Sequence, residues 1–96
     1  MQHWTMRQFN AKYNDLSSRA HRLRLRLAKG TDAQDVELCR TLAALDLMIA
    51  DLYDAASGSE AIGFTLFEIS AYMRAADRRR SSAEEWRTVA DMREVA

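Results

Sequence analysis

The chain has no proline and only three glycines, Gly30, Gly58 and Gly63, among its 96 residues. Without proline, no helix need be broken by a missing amide donor, and so few glycines leave little material for the tight turns of hairpin-rich β-proteins. A single cysteine, Cys39, excludes an intrachain disulfide and any zinc site built on paired thiolates. The expectation is a reducing compartment. Long apolar runs are also missing. The stretch Ala61 to Phe67 falls far short of the ~20 residues that span a bilayer, and the start, Met1 to Arg7, has no apolar run of signal-peptide length. Together these features predict a cytoplasmic protein that does not engage a membrane.

What is present favours helix. Hydrophobic residues make up 48% of the chain, more than a disordered segment carries, and alanine, leucine, arginine, aspartate and glutamate dominate. Residues 1–96 form one domain. A chain of this length buries roughly 60–70% of its unfolded surface, so its core is marginal and a second subunit would add to it.

Met6, Phe9, Tyr13, Leu16, Ala20, Leu23 and Leu27 are spaced alternately by three and four residues, one apolar stripe of a long helix. Gly30 is its natural stop, and Thr31 with Gln34 can open the next helix as a capping box. Leu38, Leu42, Leu45, Ile49, Leu52 and Ala56 form a second stripe. Val36, Ala43, Leu47 and Ala50 lie on the opposite side of that helix, which makes it the central element with neighbours in two directions. After Ser57-Gly58-Ser59, Thr65 and Glu68 form a further capping box flanked by Phe64 and Ile69 as a hydrophobic staple. The third helix should carry Leu66, Ile69, Tyr72, Met73 and Ala76 inward and end in Asp77-Arg78-Arg79-Arg80. Ser81 with Glu84, or Ser82 with Glu85, would then cap a short fourth helix bearing Trp86, Val89 and Met92. The predicted fold is all-α, a long antiparallel helical hairpin followed by two shorter helices and completed by a homodimer.

The formal net charge is zero but unevenly laid out. Residues 1–30 carry seven cations against Asp15, residues 31–62 carry seven acids against Arg40, and residues 63–96 balance at six each. The simplest reading sets the basic helix beside the acidic one, with Arg19, Arg22 or Arg26 facing Asp35, Glu37 or Asp46.

Nothing assembles into catalytic or cofactor chemistry. His3 and His21 share no helical face and have no carboxylate one turn away, and Cys39 has no adjacent base. Asp51 and Asp54 form a carboxylate pair without further ligands, and no phosphate-binding glycine loop occurs. The expectation is a non-enzyme with no cofactor and no metal. Gly63-Phe64-Thr65-Leu66-Phe67-Glu68-Ile69 resembles the glycine-phenylalanine-serine/threonine-leucine-x-glutamate-isoleucine turn in the DNA-binding part of MerR-type regulators. The likeness covers seven residues, follows the long helices instead of preceding them, and is accounted for by capping chemistry. DNA or RNA binding stays as the alternative function, through Arg22, Arg24 and Arg26 on the first helix or the Arg78, Arg79, Arg80 turn. Against it, Glu84 and Glu85 would open the following helix with charges that repel phosphate. The preferred reading is a small protein-binding regulator of antiactivator, inhibitor, chaperone or adaptor type. Its candidate partner or dimer surface is Leu25, Val36, Ala43, Leu47, Ala50 and Phe67, with Leu47 as the anchor.

Overall fold

The computed structural model describes residues 5–29, 35–59 and 62–95. Three helices account for nearly all of them: α1 (Met6–Lys29), α2 (Asp35–Ser57) and α3 (Leu66–Val95). Among the described residues there is no strand. The molecule measures 47 × 21 × 20 Å, and the long axis matches the ~45 Å that a 30-residue helix spans at 1.5 Å per residue. It is a rod whose length is that of α3.

The helix starts are chemically explicit. The Thr65 backbone and hydroxyl both donate to Glu68 Oε1 at 3.0 Å, and the Glu68 amide returns a bond to Thr65 Oγ1 at 3.2 Å. This is the capping box read from the sequence. Gly63 supplies the left-handed residue (φ 67°) that turns the chain into it. Thr5 and Gln8 form the same reciprocal pair at the start of α1, with bonds of 3.0 and 3.2 Å. The Thr31–Gln34 box and Gly30 lie outside the described residues.

The sequence reading fails at 77–82. Asp77 to Ser82 do not turn, and the two expected short helices are one continuous α3. No glycine or proline interrupts this stretch, and serines that can cap a helix are also tolerated inside one. The decisive factor is tertiary. Ala76, Ala83 and Ala90 recur every seven residues and are 0%, 1% and 0% exposed. A straight helix keeps all three on one seam, and a turn at Ser81 would take Ala83 and Ala90 off it.

The seam packs against α2, where Cys39, Ala43, Asp46 and Ala50 are buried in turn. Small residues on both sides let these two backbones approach closely. Larger side chains separate α1: Leu16, Leu42, Leu45, Ile49 and Leu52 fill its interface with α2, joined by Phe9, Ala20 and Ala56. Each large side chain among these contributes about 1.5–3 kcal/mol by leaving water. No Cα atom of α1 comes within 8 Å of one of α3, so long side chains bridge the two. At one end a ring cluster does so: Phe9 lies 5.4 Å from Tyr72 and 5.8 Å from Tyr53, and Phe64 sits 4.5 Å from Tyr72.

Not every residue expected inside is there. Leu66, Met73 and Met92 are exposed, at 86%, 54% and 67%, and Met6 is 42% exposed. On α3 this follows from the continuous helix, which commits its inner face to the alanine register.

Two substitutions check this arrangement. Thr65→Ala should lower stability by about 1 kcal/mol while Thr65→Ser stays near neutral, read from urea midpoints. Ala83→Leu should cost about 1–3 kcal/mol or more by overpacking the seam. An Ala83→Leu variant as stable as the parent would mean that α3 does not pass α2 at close range.

Candidate functional site

The polar centre of the bundle is Asp46 on α2. It is 1% exposed, and its Oδ1 accepts a hydrogen bond from Arg79 Nη1 at 3.0 Å. The sequence places Asp46 on the same heptad position as Cys39 and Tyr53, so the seam that buries the alanines also buries this carboxylate. A charge taken out of water needs a partner, and Arg79 of α3 supplies it. Burial works against the Arg79 charge, but the bonds to Asp46 and Tyr13 outweigh it and hold its pKa above the ordinary arginine value. Arg79 thereby links α3 to α2 and, through the Tyr13 hydroxyl, to α1.

Tyr13 and Tyr53, with ring centroids 5.7 Å apart, are driven in opposite directions. The Tyr53 hydroxyl first, then the nearby Ser17, lowers the Tyr13 pKa, with Arg79 adding to the effect against the opposing pull of burial. Burial first, then the bond to Tyr13, push Tyr53 up to about 12. Burial also raises Tyr72. The group is a polar clasp inside the bundle that ties three helices together.

Asp46 does not meet an arginine of α1 as read off the sequence, and the Asp35 side chain lies outside the described residues. Asp46 belongs to Arg79, while Arg80 pairs with Asp54 and lies 3.9 Å from Asp51 and 3.4 Å from Asp77. Arg40 of α2 pairs with Glu94 and Asp91 of α3. Three of the acids on α2 are therefore matched by α3 and not by α1. Arg19 instead pairs within its own helix, 3.3 Å from Asp15. The Asp51–Asp54 carboxylates face an arginine, and among the described residues no group of three or more His, Cys, Asp or Glu side chains is placed to hold a metal ion.

The candidate surface residues divide. Ala43 and Ala50 are 1% and 0% exposed beneath α3 and offer no surface. Val36 and Leu47 are half-buried, and Leu47 lies in a shallow groove with Arg40, Ala44, Arg87 and Asp91. Leu25 and Phe67 are exposed, at 48% and 77%. Of the nucleic-acid candidates, Arg22, Arg24, Arg26 and Arg78 are exposed. Arg79 and Arg80 are committed to carboxylates in mid-helix, so the expected basic turn does not exist. Sequence reading missed the Arg79–Asp46 clasp. Its signal was a carboxylate on the otherwise apolar and small α2 face of Cys39, Ala43 and Ala50.

Two outer surfaces stand out. One is apolar: Leu66, Phe67 and Met73 project from the first two turns of α3, at the end of the rod where the aromatic rings cluster. The other is a groove between α1 and α2 lined by Arg19, Arg22, Leu23, Arg26, Thr41 and Leu45. No helix among the described residues is long and apolar enough to cross a membrane. No protein-family model, curated protein or solved structure matches this chain.

The tyrosine pair gives a direct check of the clasp. In a spectrophotometric alkaline titration, one tyrosine should lose its proton below the ordinary value of 10 and Tyr53 only near 12. Tyr53→Phe should remove the late step and move the early one upward, because Tyr13 loses its leading hydrogen bond. The raised Tyr53 contributes stability that is complete below pH 10 and lost as pH rises through about 12. Three identical steps near 10 would show that the hydroxyls do not meet.

Proposed function

We propose that this protein is a non-enzymatic protein-binding regulator, of antiactivator, inhibitor, chaperone or adaptor type, working in the cytoplasm as a homodimer. The observation that carries the reading is the pair Leu66 and Phe67, 86% and 77% exposed on consecutive positions of a capped helix. Full burial of two such side chains contributes about 1.5–3 kcal/mol each, and this chain forgoes that gain. Met73, one heptad after Leu66, extends the patch along α3. A rigid helix presenting clustered large apolar side chains suits the helix-face mode of protein recognition. The homodimer reading draws on the same patch: the α2–α3 seam is built largely from alanine, so the chain's own core is thin, and apolar burial between copies would add to it.

The alternative, binding to DNA or RNA, draws on the exposed Arg22, Arg24 and Arg26. It predicts an affinity that falls steeply with salt, whereas association through the apolar patch should be nearly independent of salt.

Replacing Leu66 and Phe67 together with aspartate tests the reading. The acids sit in the first turn of α3, where the helix dipole favours them, so circular dichroism and the urea midpoint should be nearly unchanged. Sedimentation velocity should show the parent chain self-associating and the variant monomeric. A variant that associates as the parent does would remove the patch from the interface.

A further inference from the structure

The outer face of α3 carries a pattern that extends well beyond the apolar patch at its start. On the side away from the alanine seam, steps of alternately four and three residues lead from Phe67 through Arg74, Arg78, Ser81 and Glu85 to Met92. Phe67 and Met92, both strongly exposed, stand at the two ends. The four polar members between them are exposed as well. Ala71 and Thr88 fill the remaining steps. With Ser81 they are short enough to let another helix come close.

Charge on this face is separated along the helix. Among the described residues, the ion pairs of α3 use Asp77, Arg79, Arg80, Asp91 and Glu94, and none involves Arg74, Arg78, Glu84 or Glu85. Arg74 Nη1 donates to the Ser70 hydroxyl at 3.2 Å, a neutral acceptor that leaves its charge unmatched. Asp77, the acid between the two arginines, is held by Arg80 of its own helix at 3.4 Å. Glu84 and Glu85 border a shallow hollow with Ser81, Thr88 and Val89. The outer face is therefore basic in its first half and acidic in its second.

From this we infer that α3 packs antiparallel against α3 of a second copy, about a two-fold axis that passes between Arg79 and Arg80. The stripe is its own complement when reversed. Phe67 meets Met92 of the second copy, Arg74 meets Glu85, and Arg78 enters the hollow at Ser81. Each contact occurs twice, as a two-fold interface requires. Leu66 and Val95, strongly exposed on one flank of the stripe, come side by side at each end. A parallel pair would set Arg74 against Arg74 and Glu85 against Glu85, so the charges select the antiparallel one. The apolar ends supply most of the attraction, and the ion pairs fix direction and register. This inference rests on the homodimer reading above. It adds which helix is shared, in which direction, and a use for the exposed Met92 and Val95 at the far end of α3.

The experiment is sedimentation of the full chain over a concentration series, with Arg74→Glu, Glu85→Arg and their equimolar mixture. Each reversal alone sets two like-charge contacts across the dimer and should weaken self-association roughly tenfold. The mixture should associate as tightly as the parent, because each changed side chain then meets an opposite charge on the other chain. Arg24→Glu, the same reversal on the exposed side of α1, should have less than about a twofold effect. Met92→Asp should weaken association as the Leu66 and Phe67 replacements do, although it lies at the other end of α3. Circular dichroism checks that the variants fold, and Arg74→Gln and Glu85→Gln give the same test in milder form if a reversal does not. A mixture no tighter than its components would overturn the pairing. So would reversals or Met92→Asp without effect while the Leu66 and Phe67 replacements still abolish association, a result that leaves the apolar-patch reading standing. A parent chain that stays monomeric would overturn both.

Discussion

A carboxylate buried at 1% exposure sets the terms for this structure. Asp46 sits in the middle of α2 on the face that meets α3, and it cannot remain charged there without a cation brought to it. Arg79 is that cation, and its reach fixes how α3 passes α2. Once Arg79 lies opposite Asp46, the alanines at 76, 83 and 90 fall on the seam, one heptad apart. Arg80 then faces Asp51 and Asp54, and Asp91 and Glu94 arrive beside Arg40. The exposed pairs add little individually. The buried pair supplies register, because a slip along the seam would strand both charges.

The same arrangement produces the outer surfaces. A close, small-residue seam between α2 and α3 leaves little large apolar material in that half of the molecule. Leu66, Phe67 and Met73, which share α3 with the alanines, are turned outward by the register that buries Ala76. α3 also supplies the cations for Asp46, Asp51 and Asp54 of α2, and it is Arg79 and Arg80 that answer them. The thin core and the apolar end are thus linked consequences of one helix pairing.

Much of the fold could be read from the sequence because its signals were local or periodic. The stripes of α1 and α2 and the Thr65–Glu68 box depend on spacing and on short-range hydrogen bonds; the box is present, and so are the stripes apart from their first members, Met6, which is exposed, and Leu38, which is half-buried. The unbroken course of α3 could not be read that way. Ser81, Glu84, Ser82 and Glu85 carry the chemistry of a helix start, but a cap satisfies amides only where a helix begins. What kept α3 going is the distant partner of Ala83 and Arg79. The charge pairing was hidden for the same reason: composition by segment showed a basic helix and an acidic one, while the actual pairs join residues 33 and 26 positions apart, Asp46 to Arg79 and Asp54 to Arg80. Leu25 and Phe67 were correctly placed outside the core stripes, whereas Ala43 and Ala50 belong to the second interface of α2.

The claim on which the rest stands is that Asp46 and Arg79 act as one buried unit joining α2 to α3. A double-mutant cycle with Asp46→Ala, Arg79→Ala and the double variant, read by urea denaturation, measures it directly. Arg79→Ala should cost about 3–5 kcal/mol, because it leaves the Asp46 carboxylate buried and alone, and Asp46→Ala should cost less, because Arg79 keeps Tyr13 and reaches solvent. The double variant should cost well below the sum of the two, since no charge is stranded. Additive costs, or single costs within about 0.5 kcal/mol of the parent as at an ordinary surface position, would contradict the account.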